Sequence, residues 1–523
     1  MMNTNSQNKI INKDLIVIIA LNIALALVSF LKDTLLASYL GTTGSADTLF
    51  AAFFLPDAIG FNILGQTASL VLVPVFVTLL SGHKRKEALG TAYIVSFAFI
   101  VISFITSLVF LAGDGYTLMG IISGRDNVDK TQLLTLMSVF IPILYIIPIA
   151  YICIAYLNAQ NRFKITAIAP LIYNAFILFA VVICMVLKIP YEKGIILIAI
   201  SISLASLIMA VYLFNMAGAF KNRPLIRNCL EESFLYTGKI RKLVNQAVYF
   251  ILIFTLYQSV LYFERFVANK ISLGGVSALN YSYRLAQFPL WVFISALLVV
   301  ILPDLSRNIA IENYKGLYSK LHNAWLILLL FITPVAALLF ILRKEVLSLV
   351  FLRGAFGLDS LELTSQIMAG YSLSIIFQSF SYLLLRVYLV YGKMEKAFIA
   401  YLVSSVINIA FDFATYRYLG LWVIGIGAVL GWLANMLLLY FLGEREMKRQ
   451  ILTKEPRIPI IIIGSNIFAS LTGLFVKEIL EKQVVFPGYT LQVLLLAVAC
   501  SFIYLTVYAL ILMKFKIIQK ILG

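Results

Sequence analysis

The chain has 523 residues, of which 62% are hydrophobic, 13% aromatic and only 12% charged, with a mean hydropathy of +0.98. A soluble globular chain carries about twice that charged fraction, so a soluble enzyme, a disordered protein and a secreted disulfide scaffold are excluded. The formal charge of +17 would suggest a nucleic-acid binder in a soluble protein, whereas in a membrane protein the surplus gathers on one side of the bilayer.

The polar start, MMNTNSQNKIINKD, leads at Leu15 into an apolar run without a small-residue cleavage signature. This predicts a retained first helix rather than a removed signal peptide. A spanning helix needs about 20 mostly apolar residues. Such runs lie at 15–39, 47–80, 88–112, 131–157, 165–187, 194–217, 243–269, 276–303, 322–342, 363–391, 397–416, 420–443, 458–477 and 489–514. The fold expected is therefore an all-α polytopic membrane protein with 14 transmembrane helices. The second run is too long for one straight span and carries Pro56 and Pro74, which predicts a bent helix with an amphipathic end.

With the N-terminus inside, cytoplasmic segments hold 26 of the 41 cations, including Lys84–Lys86, six in 221–242 and five in 445–457. The outer loops hold 11, and four (Lys32, Arg265, Arg284 and Arg386) fall within spans. The bias predicts an even number of spans with both termini cytoplasmic, because an odd count would scramble the alternation.

The chain also echoes itself after about 230 residues. Phe30-Leu31-Lys32-Asp33, Gly41, Ser45-Ala46-Asp47, Phe54-Leu55-Pro56 and Pro74 are matched in order by Phe263-Glu264-Arg265, Leu273-Gly274-Gly275, Ser277-Ala278, Phe288-Pro289 and Pro303. Tyr156-Leu157 with Asn174 is matched by Tyr388-Leu389 with Asn408. This predicts two pseudo-symmetric six-helix lobes plus two C-terminal helices: an N-lobe at 1–217, a basic cytoplasmic linker at 218–242, a C-lobe at 243–443 and a final helix pair in 444–523. An even number of spans per copy makes the copies parallel, a design that commonly places a cavity between lobes.

A charge at the bilayer centre costs about 2.5–3.5 kcal/mol on insertion scales, so each one needs a reason. Lys32 and Asp33 are adjacent, point about 100° apart on a helix, and are expected to line a wet cavity rather than neutralise each other. The repeat sets this pair against Glu264 and Arg265. Lys32, Arg265, Arg284 and Arg386 around one cavity would suit an anion such as a phosphate or diphosphate; snorkelling with structural salt bridges is the alternative. Asn408 and Asp412, four apart, share a helix face. With Glu264 they could form a hard-cation site for Na⁺ or a proton relay, or merely hydrogen-bond neighbouring helices.

Cys153, Cys184 and Cys500 sit in apolar runs and Cys229 in a basic loop, with no CxxC or Cys/His cluster. His83 and His322 are the only histidines and lie far apart. Zinc sites, HExxH proteases and Ser-His-Asp hydrolases are poorly supported, and no GxxxxGK[ST] phosphate loop is present.

The stretch LVSFLKDTLLASYLGTTGSADTLFAAFFLPDAIGFNILGQTASLVLVPVF resembles the opening of the MurJ/MviN lipid II flippases, as do YLNAQNRFKITAIAPLIYN (156–174), YSYRLAQFP (281–289) and LLRVYLVYGKMEKAF (384–398). The resemblance implies a two-lobe transporter in the bacterial cytoplasmic (inner) membrane, moving a polyprenyl-diphosphate-linked glycan between leaflets. Its partners would be that glycan, membrane lipids and cell-envelope synthesis enzymes, with no nucleic acid, no cofactor, and Na⁺ or a proton as coupling ion. On the family pattern Lys32 and Asp33 match its basic–acidic pair, with Lys where Arg is usual; Asp47 matches an acidic residue and Arg284 the eighth-span arginine. The family's sodium site would map to Glu264, Asn408 and Asp412, while its twelfth-span hydroxyl falls near Ala428. The chain departs from the family in the second span, with Leu55-Pro56-Asp57 for LPN, Gly60-Phe61 for an arginine pair and Gly65-Gln66-Thr67 for an acidic-Gly-Ala element. These departures imply a diphosphate held differently or another lipid-linked glycan.

Three other functions compete: a cation-coupled drug or metabolite exporter, a membrane glycosyltransferase or polymerase, and a non-transporting envelope-synthesis scaffold. The two extra C-terminal spans weigh against the exporter. The short outer loops, 113–130 and 343–362, weigh against the polymerase.

Overall fold

The computed structural model describes residues 4–81, 85–112, 130–218, 238–310, 313–443, 457–483, 489–517 and 519. Its long elements are α1 (Thr4–Leu40), α2 (Gly44–Leu55), a π-helical stretch (Pro56–Gly65), α3 (Gln66–Ser81), α4 (Arg85–Ala112), α5 (Lys130–Ala159), α6 (Phe163–Val186) and α7 (Tyr191–Ala217). They continue with α8 (Gly238–Ile271), α9 (Gly275–Ala310), α10 (Tyr314–Ile341), the short α11 (Arg343–Phe351), α12 (Leu358–Tyr391), α13 (Met394–Leu419), α14 (Trp422–Leu442), α15 (Arg457–Gln483) and α16 (Tyr489–Lys514). No strand occurs among the described residues. Thirteen helices within them are long and apolar enough to cross a membrane. The remaining expected segment, 276–303, lies in the single helix α9.

Several helices overrun their apolar windows. α1 begins at Thr4 and α8 at Gly238, because a helix continues past the hydrocarbon wherever its backbone can still pair with itself, and hydropathy reports only the apolar part. The last residues of the expected linker are therefore helical, while 219–237 lies outside the described residues. In the second span the irregularity expected from Pro56 is ten residues of π-helix, flanked by α-helix on both sides. Gly41, at φ 57°, makes the turn between α1 and α2, a conformation that glycine adopts without steric cost.

Hydrocarbon offers no hydrogen bonds, so each carbonyl that a proline orphans needs a partner. Pro148 in α5 has no N–H for Leu144 O, and Ser103 Oγ of α4 donates to that oxygen at 2.7 Å. Pro334 in α10 leaves Leu330 O free, and Tyr508 Oη of α16 supplies the bond at 3.0 Å. Tyr508→Phe should therefore cost about 1–3 kcal/mol, the penalty of a buried unsatisfied acceptor, read as a lower melting temperature with transport retained.

The chain divides into two compact units, 1–258 and 259–523, with the boundary inside α8. In unit 1, α1 packs along α6, and α5 packs against α7 and α3. In unit 2, α12 is the central helix, packing on α9, α10 and α14, while α13 lies along α14. The C-terminal pair belongs to unit 2: α15 packs on α10 and α16 on α11. Lys477 of α15 fastens this pair, reaching Glu345 of α11 at 2.8 Å and the Ile341 carbonyl that ends α10 at 2.9 Å. A cation suits the negative end of a helix.

Candidate functional site

The predicted residues fall into separate groups. In unit 1, Lys32 is buried on α1 and its Nζ donates to Asn174 Oδ1 of α6 at 2.9 Å. It also meets Asp33 at 3.4 Å. The adjacent pair therefore does make an ion pair, because the long lysine stem folds back where helix geometry alone points the two side chains apart. Asp47 is buried in the first turn of α2, beside the Thr43 cap, where a carboxylate complements the helix dipole. Phe61, standing where the resembled family has an arginine, is an aromatic contact: its ring centroid is 5.6 Å from Tyr173 and 6.4 Å from Tyr151.

In unit 2, Glu264, Asn408 and Asp412 converge. Glu264 is 2% exposed and Asp412 0%. Tyr371 Oη donates to Glu264 Oε2 at 2.6 Å, and Asn408 Nδ2 lies 3.4 Å from Glu264 Oε1. Gly427 and Gly431 of α14 let that helix approach so closely that a Cβ on Gly427 would overlap Asp412 Oδ1, and one on Gly431 would come 3.0 Å from Asn408 Cβ. Three oxygens there, both of Asp412 and Oδ1 of Asn408, are buried without a hydrogen-bond partner among the described residues. Orphaned buried acceptors grouped with two carboxylates call for a cation. An all-oxygen donor set suits a hard ion such as Na⁺. The residues fit such an ion, which Glu264, Asn408 and Asp412 would hold. Among the described residues no cluster of three or more His, Cys, Asp or Glu is assembled for a metal.

The internal repeat becomes physical at this point. Lys32 with Asn174 and Glu264 with Asn408 are the same contact in the two halves, with the ammonium of one replaced by the carboxylate of the other. Unit 1 carries a built-in cation where unit 2 carries a carboxylate.

Arg265, next to Glu264, is buried and donates to Asn280 Oδ1 of α9 at 3.2 Å and to Leu261 O at 3.1 Å. Arg284 is half-buried on α9. Ser282 and Gln287 of that helix bond α12, through Thr364 O at 2.7 Å and Gln378 Oε1 at 2.8 Å. Arg284 is about 200° round the helix from Ser282 but only about 60° from Gln287 at 100° per residue, so it lies on the Gln287 side of this seam. Arg386 is placed elsewhere, eight residues beyond Gln378 on α12, or about 12 Å further along the axis. Unit 2 also holds a cavity of about 540 Å³ lined largely by apolar groups, including Trp325, Leu329, Phe377, Phe380 and Phe441.

Sequence reasoning missed Tyr371 and the two glycines, while the repeat had marked Asn174 without its contact. The Gly427–xxx–Gly431 spacing is a legible sign of close helix approach. Tyr371 lies 107 residues from its partner Glu264, and no local pattern marks it.

A family model described as lipid II flippase MurJ matches residues 36–494. A Vibrio cholerae protein named "Probable lipid II flippase MurJ" is 26% identical over 81% of each chain. "Lipid II flippase MurJ" of Burkholderia cenocepacia is 24% identical over 66% of each. In three dimensions the chain is similar to a solved lipid II flippase MurJ in an inward closed conformation, with a TM-score of 0.72 and 21% identity over 94% of this chain and 98% of that one. It also shares its fold with an inward-facing MATE family transporter of the MOP superfamily, at a TM-score of 0.66 and 14% identity over 82% and 96% of the two chains. With the family model running through both units, the chain belongs to the MurJ family of lipid II flippases, multi-pass membrane transporters rather than enzymes.

Proposed function

We propose that this chain carries lipid II, or a closely related polyprenyl-diphosphate-linked oligosaccharide, across the bacterial cytoplasmic membrane by alternating access, with both termini in the cytoplasm. The match of the family model across 36–494 carries this reading. The charge bias of the loops supports the orientation. The diphosphate is drawn by cations set within the spans, Lys32, Arg265 and Arg284, with Asp33 and Asp47 holding local charge balance; Arg386, also expected in this set from the sequence, lies further along α12. Arg284 is given the central role because it stands where the family pattern has its eighth-span arginine. Na⁺ or a proton at Glu264, Asn408 and Asp412 would neutralise buried carboxylates and so bias one conformation over another. Cell-envelope synthesis enzymes are the expected suppliers and consumers of the cargo.

Expression in a bacterium depleted of its own lipid II flippase tests the cargo. Growth is expected, and lysis despite protein in the membrane would move the assignment to another lipid-linked glycan. Arg284→Ala should reduce flipping in reconstituted liposomes by roughly tenfold or more, the scale of one lost charge-assisted contact, with the protein still folded in the membrane. Undiminished flipping would remove Arg284 from the binding set.

A further inference from the structure

Arg386 differs from the other in-span cations. Lys32 and Arg265 have named partners, and Arg284 has contacts of its own. Among the described residues the Arg386 guanidinium makes no hydrogen bond or ion pair, and its electrostatic neighbours are two phenols, Tyr382 and Tyr401. Tyr382 is one turn before it on α12; its oxygen accepts from Gln378 Nε2 at 3.0 Å, which leaves the hydroxyl proton available to donate. Tyr401 of α13 is 4% exposed, and its buried Oη has no hydrogen-bond partner among the described residues. Both rings stand edge-on to the Trp432 indole, with centroids 5.7 and 6.1 Å away, so packing holds both phenols in place.

An unpaired charge and an unpaired hydroxyl inside a membrane protein are costly unless a ligand completes them. Here every group offered is a donor: a five-proton guanidinium fork and two O–H groups. That set recognises an oxyanion, and the planar fork matches phosphate. Depth narrows the class further. Arg386 lies five residues before Tyr391 at the end of α12, about 7.5 Å at 1.5 Å per residue, which is the level of headgroups rather than mid-bilayer hydrocarbon. Lys393 follows at the helix connection, while Lys396 turns to the Leu442 carbonyl at 3.5 Å. Nothing in the fold demands polar groups at these places. The corresponding positions of the first repeat are Ala150 and Ile154, and the stretch matching Tyr401 reads Ala167-Ile168-Ala169-Pro170.

We propose that Arg386, Tyr401 and Tyr382 form a phosphate-binding site at the inner end of unit 2, separate from Arg265 and Arg284. The site takes the phosphate of a lipid headgroup or free phosphate, and the assignment holds whichever glycan the protein carries.

The full chain is purified in phosphate-free alkyl maltoside micelles, and its melting temperature is followed against phosphatidylglycerol, polyprenyl phosphate and inorganic diphosphate in turn. Wild type is expected to melt higher with at least one of them. Arg386→Gln and Tyr401→Phe should need at least ten times more of that probe for the same shift, with Arg386→Lys between. Without any probe, both variants should melt at or above wild type, since Arg386→Gln removes an unpaired charge and Tyr401→Phe an unpaired hydroxyl. Response to either lipid alone assigns a headgroup, and response to inorganic diphosphate assigns a soluble anion. Tyr401→Phe removes a single oxygen and reports on the site even if the Arg386 variants do not accumulate. Equal probe response in wild type and both variants, or no response in wild type, overturns the proposal. So do variants that melt below wild type by the same margin with and without probe, which would mark a purely structural role.

Discussion

Alanine at Gly427 should abolish cation-dependent stabilisation of the protein and lower cation-driven transport by roughly tenfold or more, the equivalent of about 1.4 kcal/mol. The added Cβ would overlap Asp412 Oδ1 and sit 3.1 Å from Asn408 Oδ1. It would thus occupy the space beside two unpartnered oxygens, Asp412 Oδ1 and Asn408 Oδ1. A ligand at a hundred times its Kd stabilises a protein by about 2.7 kcal/mol. Wild type should accordingly melt higher in sodium than in choline at equal ionic strength, and G427A should not. Asp412→Asn separates charge from shape. It keeps the volume but removes one of two buried carboxylates, so without sodium it should melt at or above wild type, and with sodium it should gain little. Identical melting of wild type in the two salts would show that Glu264, Asn408 and Asp412 bond neighbouring helices and hold no sodium.

Much of the fold was legible because a bilayer allows few solutions. Backbone groups without water must pair within a helix, so an apolar run of spanning length announces its structure. All fourteen expected segments lie in helices. The repeat was legible as well, and it pointed to Asn174 and Asn408 before any contact was known. What it could not show is the inversion of charge between them, since only the fold reveals that Lys32 and Glu264 both reach the asparagine of the fifth span in their own half. Grouping the four in-span cations failed to separate Arg386 from Arg284, because hydropathy gives a residue's place along its own helix and not its depth against a neighbour. The Gln287–Gln378 bond supplies that missing register. Likewise, a proline in a run reads as a breaker, but the hydroxyls that compensate Pro148 and Pro334 come from helices remote in sequence.

The largest loss of stability should come from Gly370. A Cβ there would overlap the Gly425 backbone, and one on Gly425 would stand 2.8 Å from Ile367 O, so α12 and α14 touch main chain to main chain. Around the crossing lie Ile367, Tyr371, Val423, Ile424 and Ala428, packed with Phe266, Val267 and Ala268 of α8. Backbone atoms have no rotamer with which to yield, so the helices must separate or the variant must not fold. Overpacking a core costs about 1–3 kcal/mol and occasionally more. Gly370→Val belongs at or beyond the top of that range, with G370A milder but in the same direction. Gly464 of α15 is the control, because a Cβ there meets nothing within 4 Å. G464A should leave the melting temperature unchanged or raise it slightly through helix propensity. The crossing also has a functional consequence. Tyr371 follows Gly370 directly and donates to Glu264, and Gly427 is two residues after Gly425 on the helix that abuts Asp412. Spreading α12 from α14 therefore pulls both walls of the candidate cation site apart. Any G370A protein that still folds should lose its sodium response in the melting assay while retaining the phosphate response at Arg386. Loss of both together would mean that the crossing supports unit 2 as a whole.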